Sequence, residues 1–224
     1  MKKIIDDSVL DIVTFPNGFV FAKREETPGG AARAAFYCYN IRTKKIDAVR
    51  RSAYLQCKFG EKYEEIAKLI GNFIFCESVR MPNTGETVVL TPDSRMFYIN
   101  KEGKLIWEEQ LCYRESSVQG LALDGNCVWC VVPEKAAVVR FSPSVKKVYI
   151  RIGGNETTTF TDPVGVSKFK DDLYISCGES KKIRKIDFET YSVKDYKIFD
   201  EPVYKYYRIY DKEFALLKSG LYML

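Results

Sequence analysis

Five times along the chain an apolar residue precedes a tight polar turn and then a strongly apolar strand. The copies read FPNGFVFA from Phe15, LIGNFIFC from Leu69, LDGNCVWC from Leu123, FKDDLYIS from Phe169 and YDKEFALL from Tyr210. Their starts lie about 40 to 55 residues apart, in or close to the range of propeller blades. A unit of this length that cannot bury its own apolar faces must stack on its neighbours, and five of them predict an all-β, five-bladed β-propeller.

A second repeat, offset from the first, gives the same answer. YNIRTKKI from Tyr39, INKEGKLI from Ile99, FSPSVKKV from Phe141 and IDFETYSV from Ile186 each interrupt an apolar pattern with turn-prone polar residues. Short strands flanking such turns are β-hairpins. The first turn of each unit is supplied by Asn17-Gly18, Gly71-Asn72, Gly125-Asn126, Asp171-Asp172 or Asp211-Lys212. These residues tolerate positive φ or bond their own backbone. Two hairpins per unit make four antiparallel strands, a to d, counted outward from the axis.

The last unit has strand a in VYKYYRIY, b in EFALL and c in GLYML, with no fourth strand after them. At the other end KKIIDD precedes the first strand a, near Val9, and has no place in the first blade. Lys3, Ile4 and Ile5 are therefore expected to pair with Leu221–Leu224 and close the ring, since an open ring leaves two unpaired sheet edges. The blades then fall at about 9–50, 51–110, 111–153, 154–199, and 200–224 with 1–7, in one domain covering 1–224.

Strands dominate the pattern, and 46% apolar with 14% aromatic content is ample for packing blade on blade. Only Glu61–Ile70 has helix-like spacing. The repeat claims Leu69 and Ile70 as an anchor, which leaves room for no more than a helical turn over Tyr63–Ile66. Arg80–Ser94 is read as an insertion between strands b and c of the second blade, forming an extra hairpin.

No secretory leader is visible, because Asp6 and Asp7 interrupt the first apolar stretch after two residues. No run approaches the roughly 18 apolar residues of a membrane span. The expected location is the cytoplasm. The seven cysteines fit it: Cys38, Cys76, Cys127 and Cys130 fall in strands, where a thiol packs as a small hydrophobe. Cys127 and Cys130 spell C-x-x-C, but three residues apart on a strand they face opposite ways. A single such pair favours buried structural thiols over a metal site.

The chain contains no histidine. The usual general base near neutral pH, the Ser-His and Cys-His nucleophile pairs and the commonest zinc ligand are thereby removed. Walker, G-x-G-x-x-G, G-x-S-x-G and H-E-x-x-H motifs are also missing. Catalysis would have to run on carboxylates, Lys, Tyr, Cys or a carboxylate-bound metal.

PVGVSKFKDDLYIS from Pro163 and VQGLALDGNCVWCV from Val118 resemble the strand a to strand b unit of NHL, YVTN and streptogramin-lyase-like β-propellers. The resemblance implies a small residue near the channel, here Gly120 or Gly165, ahead of the apolar residue, polar turn and b strand. It is strongest from Val118 to Phe199. It speaks to fold and not to activity: the lyases are thought to use a histidine base, which this chain does not have.

Propellers usually bind at the channel mouth, among the d-to-a connections and b-to-c loops. Seven to nine residues before each anchor stands an acid: Asp7, Glu61, Glu115, Asp162 and Glu201. Five acids at one level of a ring would focus negative potential on the axis, suited to a metal ion, an amine or a basic peptide. Acids are also common in solvated loops, and that reading stands beside it. Tyr63, Tyr113, Phe160 and Tyr204 lie near these acids, and with Arg114 are expected either to stack a sugar or peptide side chain or to cap the blade interfaces. Arg24, Arg80, Lys135 and Lys181 are assigned to b-to-c loops, giving a mouth of mixed sign.

The net charge of +5 is modest. The lysines of the c-to-d hairpins guard outer edges and spread charge around the ring, which argues against nucleic acid as a partner. The leading expectation is a non-catalytic binding or interaction propeller that holds a small molecule, sugar or peptide at the mouth, with no cofactor and no membrane association. The alternative is a carboxylate- or metal-dependent hydrolase, lactonase-like or glycosidase-like, with a divalent cation or acid/base pair at Glu115 and Asp162.

Overall fold

The polar turns and apolar strands of the repeat close into hairpins, and the hairpins into sheets. In a computed structural model, which describes residues 1–157 and 159–224, β1 (Lys2–Ile5) leads into blade 1, formed by β2 (Val9–Phe15), β3 (Gly18–Glu26), β4 (Ala32–Asn40) and β5 (Ile46–Ala48). Two helices follow, α1 (Arg51–Phe59) and α2 (Tyr63–Ile70). Blade 2 comprises β6 (Glu77–Arg80), β7 (Thr87–Leu90), β8 (Arg95–Ile99) and β9 (Leu105–Gln110). A small hairpin, β10 (Cys112–Tyr113) and β11 (Ser116–Ser117), precedes blade 3, made of β12 (Gln119–Asp124), β13 (Cys127–Val132), β14 (Ala137–Ser142) and β15 (Lys147–Gly153). Blade 4 holds β16 (Pro163–Phe169), β17 (Asp172–Cys177), β18 (Lys182–Asp187) and β19 (Val193–Ile198). Blade 5 holds β20 (Val203–Ile209), β21 (Lys212–Leu217) and β22 (Gly220–Met223), completed by β1. The protein is a five-bladed β-propeller of antiparallel four-stranded sheets.

The ring closes as expected. β1 is the outermost strand of the last blade, with Lys2 opposite Met223, Lys3 opposite Tyr222 and Ile5 opposite Leu221. Ile5 is buried against Phe214 and Leu221. The four c-to-d hairpins also fall at the second repeat, joining β4 to β5, β8 to β9, β14 to β15 and β18 to β19.

The b strands are apolar on both faces because each face meets a different neighbour. On β13, Val128, Cys130 and Val132 pack toward Val88, Leu90 and Met96 of blade 2. Trp129 and Val131 pack toward Leu173 and Ile175 of blade 4. This is strand alternation put to use on two sides, and it places Cys130 in one interface as a buried thiol. Near the axis the blades approach closely. A methyl group built on Gly165 would lie 2.2 Å from the Tyr204 carbonyl oxygen, so β16 and β20 can sit together only if that residue is glycine.

Blade 2 departs from the expected frame. LIGNFIFC is not a hairpin anchor: Leu69 and Ile70 end α2, and Phe73 and Ile74 lie in the loop before β6. The stretch Arg80–Ser94 is not an insertion but supplies the a-to-b turn, strand b itself and the b-to-c turn, with Arg80 opposite Thr87. The helical spacing of Glu61–Ile70 therefore prevails over the repeat, and a second helix, α1, precedes it. Tyr54, Leu55, Phe59 and Ile66 explain why, since they are buried with Val20 and Ala22 of blade 1 and Val89, Phe97 and Ile99 of blade 2. α1 contacts β2, β3 and β4 on one side and β6 on the other. The helical pair is a wedge set between blades 1 and 2.

Candidate functional site

The five a strands run the same way around the axis and enclose a cavity of about 890 Å³. Its wall is built from Leu10–Thr14 of β2, Glu77–Arg80 of β6, Leu121–Leu123 of β12, Val164 with Val166–Lys168 of β16, and Tyr204, Lys205 and Tyr207 of β20. Gln56–Gly60 of α1 and its following turn, with Phe75 and Cys76, complete it. The mouth at the beginnings of the a strands carries Phe75, Glu77, Tyr204 and Lys205. The opposite mouth, at their ends, carries Thr14, Arg80 and Lys168.

Two ion pairs cross this wall. The Lys58 ammonium lies 2.5 Å from the Asp11 carboxylate and donates to the Ile74 carbonyl at 3.2 Å. The Tyr54 hydroxyl also donates to Asp11, and burial with that neighbouring carboxylate drives the phenol far above its ordinary pKa. The second pair joins Glu77 of blade 2 to Lys205 of blade 5, while the Leu121 backbone N–H of blade 3 donates to the same Glu77 oxygen at 2.8 Å. One carboxylate thus touches three blades. Between the pairs, desolvation and the Asp11 and Glu77 charges push the Tyr207 phenol far up.

A third group joins blades 3 and 4, and reaches the far mouth through Lys168 alone. Asp124 accepts from Arg140 Nε at 2.7 Å and from Trp129 Nε1 at 3.1 Å, and Lys168 Nζ stands 3.4 Å from its other oxygen. Burial alone would raise this carboxyl, but the Arg140 hydrogen bond and charge, with Lys168, hold it below the usual carboxylate range. The adjacent Ser167 hydroxyl is buried without a hydrogen-bond partner.

Of the residues expected at the mouth, Tyr204 and Arg80 line the cavity, at opposite ends. Arg80 is not on a b-to-c loop: it ends strand a of blade 2, where its guanidinium lies over the α1–α2 turn, within 2.9 Å of where a Gly60 side chain would begin. Asp7 is exposed between β1 and β2, and Glu61 is exposed between the helices. Tyr63 opens α2 and borders a separate cleft of about 290 Å³ with Arg51, Leu55 and Lys68. Tyr113, Arg114 and Glu115 form the β10–β11 hairpin, where Arg114 lies 5.6 Å from the Tyr113 ring centre.

Asp162 and Glu201 have a repeated local task. Asp162 accepts the Glu179 N–H at 3.0 Å, and Glu201 accepts the Ser219 N–H at 2.8 Å and its hydroxyl at 2.5 Å. In blades 4 and 5 the acid of the d-to-a connection therefore fastens the b-to-c turn of its own blade. Among the described residues, no group of three or more His, Cys, Asp or Glu side chains gathers to hold a metal ion. The wall residues Asp11, Lys58, Glu77 and Lys205 were not singled out by the repeat. The readable signal was a charge inside an apolar strand, as in VLDIVTF and VYKYYRI.

No protein-family model matches the chain, and no characterised protein matches it by sequence. Solved structures do resemble it. The crystal structure of Saccharomyces cerevisiae Sqt1 superposes with a TM-score of 0.52 at 10% identity, over 96% of this chain and 71% of that one. Luciferin-regenerating enzyme gives 0.53 at 13%, over 96% and 76%. The WD40 repeats of RRP9 give 0.53 at 9%, over 93% and 57%. At such identities the likeness speaks for architecture alone: the chain shares the β-propeller fold with these proteins.

Proposed function

We propose that this protein is a binding propeller without chemistry of its own, which holds a small organic ligand or a segment of a partner protein in its axial cavity. The observation that carries the reading is the state of the wall. Its two carboxylates are committed, Asp11 to Lys58 and Tyr54, and Glu77 to Lys205 and the Leu121 amide. A carboxylate already occupied by an ammonium and further donors is not positioned to take a proton from a bound molecule, yet the cavity around it is of a size that receives ligands. Tyr204 and Arg80 are the contacts retained from the expected set. The hydrolase alternative rests on Glu115 and Asp162, neither of which lines the cavity.

Kinship with the NHL and YVTN type of propeller belongs to the same proposal, supported by the close approach that Gly165 permits. So does a reducing, cytoplasmic setting, supported by seven free thiols. Among the described residues, no helix is long and apolar enough to cross a membrane. The test is a thermal-shift screen of a small-molecule library and of peptides against the wild type and Val164→Trp, which fills the cavity from β16. Compounds that stabilise the wild type and not the variant bear the proposal out. Equal stabilisation of both, or none of either, overturns it.

A further inference from the structure

The two mouths of the cavity differ in chemistry, and the difference specifies what fits between them. At the mouth where the a strands begin, Phe75 is 51% and Tyr204 44% exposed. Phe75 stands two residues before Glu77, and Tyr204 one before Lys205. Because Glu77 and Lys205 touch, the two aromatic side chains flank one ion pair at one mouth. That pair cancels its own charge, as Asp11 and Lys58 cancel theirs deeper in the wall.

The other mouth does not cancel. Lys168 lines this mouth, its ammonium donating to the Lys170 carbonyl at 2.5 Å and standing 3.4 Å from Asp124, a carboxylate already held by Arg140 of the c strand β14. Arg80 has no carboxylate partner among the described residues, and its hydrogen bond goes to the Gly85 carbonyl at 3.4 Å. The four residues of β6 separate the two mouths by on the order of 10 Å, and the wall between includes Ile12, Leu121 and Val166.

We infer that the ligand of this cavity is an extended organic anion, with its acidic head at Arg80 and Lys168 and its flat apolar body reaching toward Phe75 and Tyr204. The inference rests on the axial cavity being the binding site, as proposed above, and adds the chemical class. An anion entering this site gains charge-assisted hydrogen bonds at the basic end, where the alternative for those donors is water. Its apolar body covers aromatic surface that the fold leaves bare. A cationic ligand would meet an uncompensated positive charge at one end and an already satisfied Glu77 at the other.

The experiment uses three probes of one shape: biphenyl-4-carboxylate, the neutral biphenyl-4-methanol and the cationic biphenyl-4-methylammonium. Each is titrated by calorimetry into the wild type, Arg80→Gln and Phe75→Ala, two substitutions at exposed side chains whose folding is checked by thermal melt. The carboxylate is expected to bind about tenfold more tightly than the alcohol, the size of one charge-assisted bond, and the preference to shrink as salt is raised. Arg80→Gln should erase that preference and leave the alcohol unchanged. Phe75→Ala should weaken both probes by the same factor.

Equal binding of carboxylate and alcohol, or tighter binding of the ammonium probe, overturns the anionic class while the Phe75 effect keeps the cavity as the site. A preference for the carboxylate that survives Arg80→Gln overturns the placement of the head. Failure of all three probes to bind, or binding indifferent to Phe75→Ala, removes the cavity reading itself.

Discussion

Lys58 reaches Asp11 from one helix to one strand, with its ammonium 2.5 Å from the carboxylate and its side chain only 1% exposed. The backbone carbonyl of the same residue accepts the Ser78 hydroxyl at 2.7 Å. A single residue of α1 therefore holds blade 1 by its side chain and blade 2 by its main chain. Removing one member of a buried ion pair strands the other charge, whereas removing both does not. Asp11→Ala should cost about 3 to 5 kcal/mol in urea unfolding. The double variant with Lys58→Met should be less destabilised than the sum of the single variants by more than about 1 kcal/mol. Strict additivity would show that the pair does not fasten the wedge.

Ring closure depends on β1. Ile5 is 5% exposed within the blade 5 and blade 1 core, and truncating a buried Ile costs about 2 to 5 kcal/mol. Ile5→Ala should lower the melting temperature by roughly 5 to 15 °C for a chain of this length. Deletion of residues 1–7 should lower it further, because the backbone pairing along β22 is lost as well. A melt unchanged by the deletion would falsify the closure.

Acid should act on Asp124. Its carboxyl is more acidic in the fold than in the free chain, so it adds stability above its unfolded pKa, near 3.9, and loses that contribution as pH falls through the folded value. Stability of the wild type should decline more steeply below about pH 4 than that of Asp124→Asn, so the gap between them narrows in acid. Chemical unfolding across pH 2 to 7 checks the sign. A gap that widens in acid would contradict the assignment.

Thiol chemistry should single out Cys112. It is exposed, whereas desolvation pushes Cys57, Cys76 and Cys177 up to about 11. At pH 8 an aromatic disulfide reagent should titrate one of the seven thiols rapidly and the others only after denaturation, and Cys112→Ser should remove the fast phase. Two or more fast thiols in the native protein would mean that the blade interfaces open.

Blades 3, 4 and 5 were legible because their b strands, such as CVWCVV and LYIS, are buried on two faces and carry an unbroken apolar signal next to a short turn. Blade 2 was not, and the reason is physical. Leu69 and Ile70 end the second helix of the wedge, and Phe73 and Ile74 of the following loop pack against the same core, so a helix end and its loop present the same order of apolar residues as a hairpin anchor. The acids stand at a repeat position that in Asp162 and Glu201 coincides with a turn fastening. The cavity wall follows from positions on the a strands that change character from blade to blade: the acids Asp11 and Glu77, the apolar Leu121 and the basic Lys168 and Lys205 come to one wall only once the ring is formed.

The helical wedge sets the bore of the ring at one sector by helix packing, where the remaining sectors are set by sheet contacts. Diameter there is an adjustable quantity. Lengthening or trimming the segment between β5 and β6 offers a way to widen or narrow the passage while the other four joints keep their geometry, as a single shim does under one stave of a barrel.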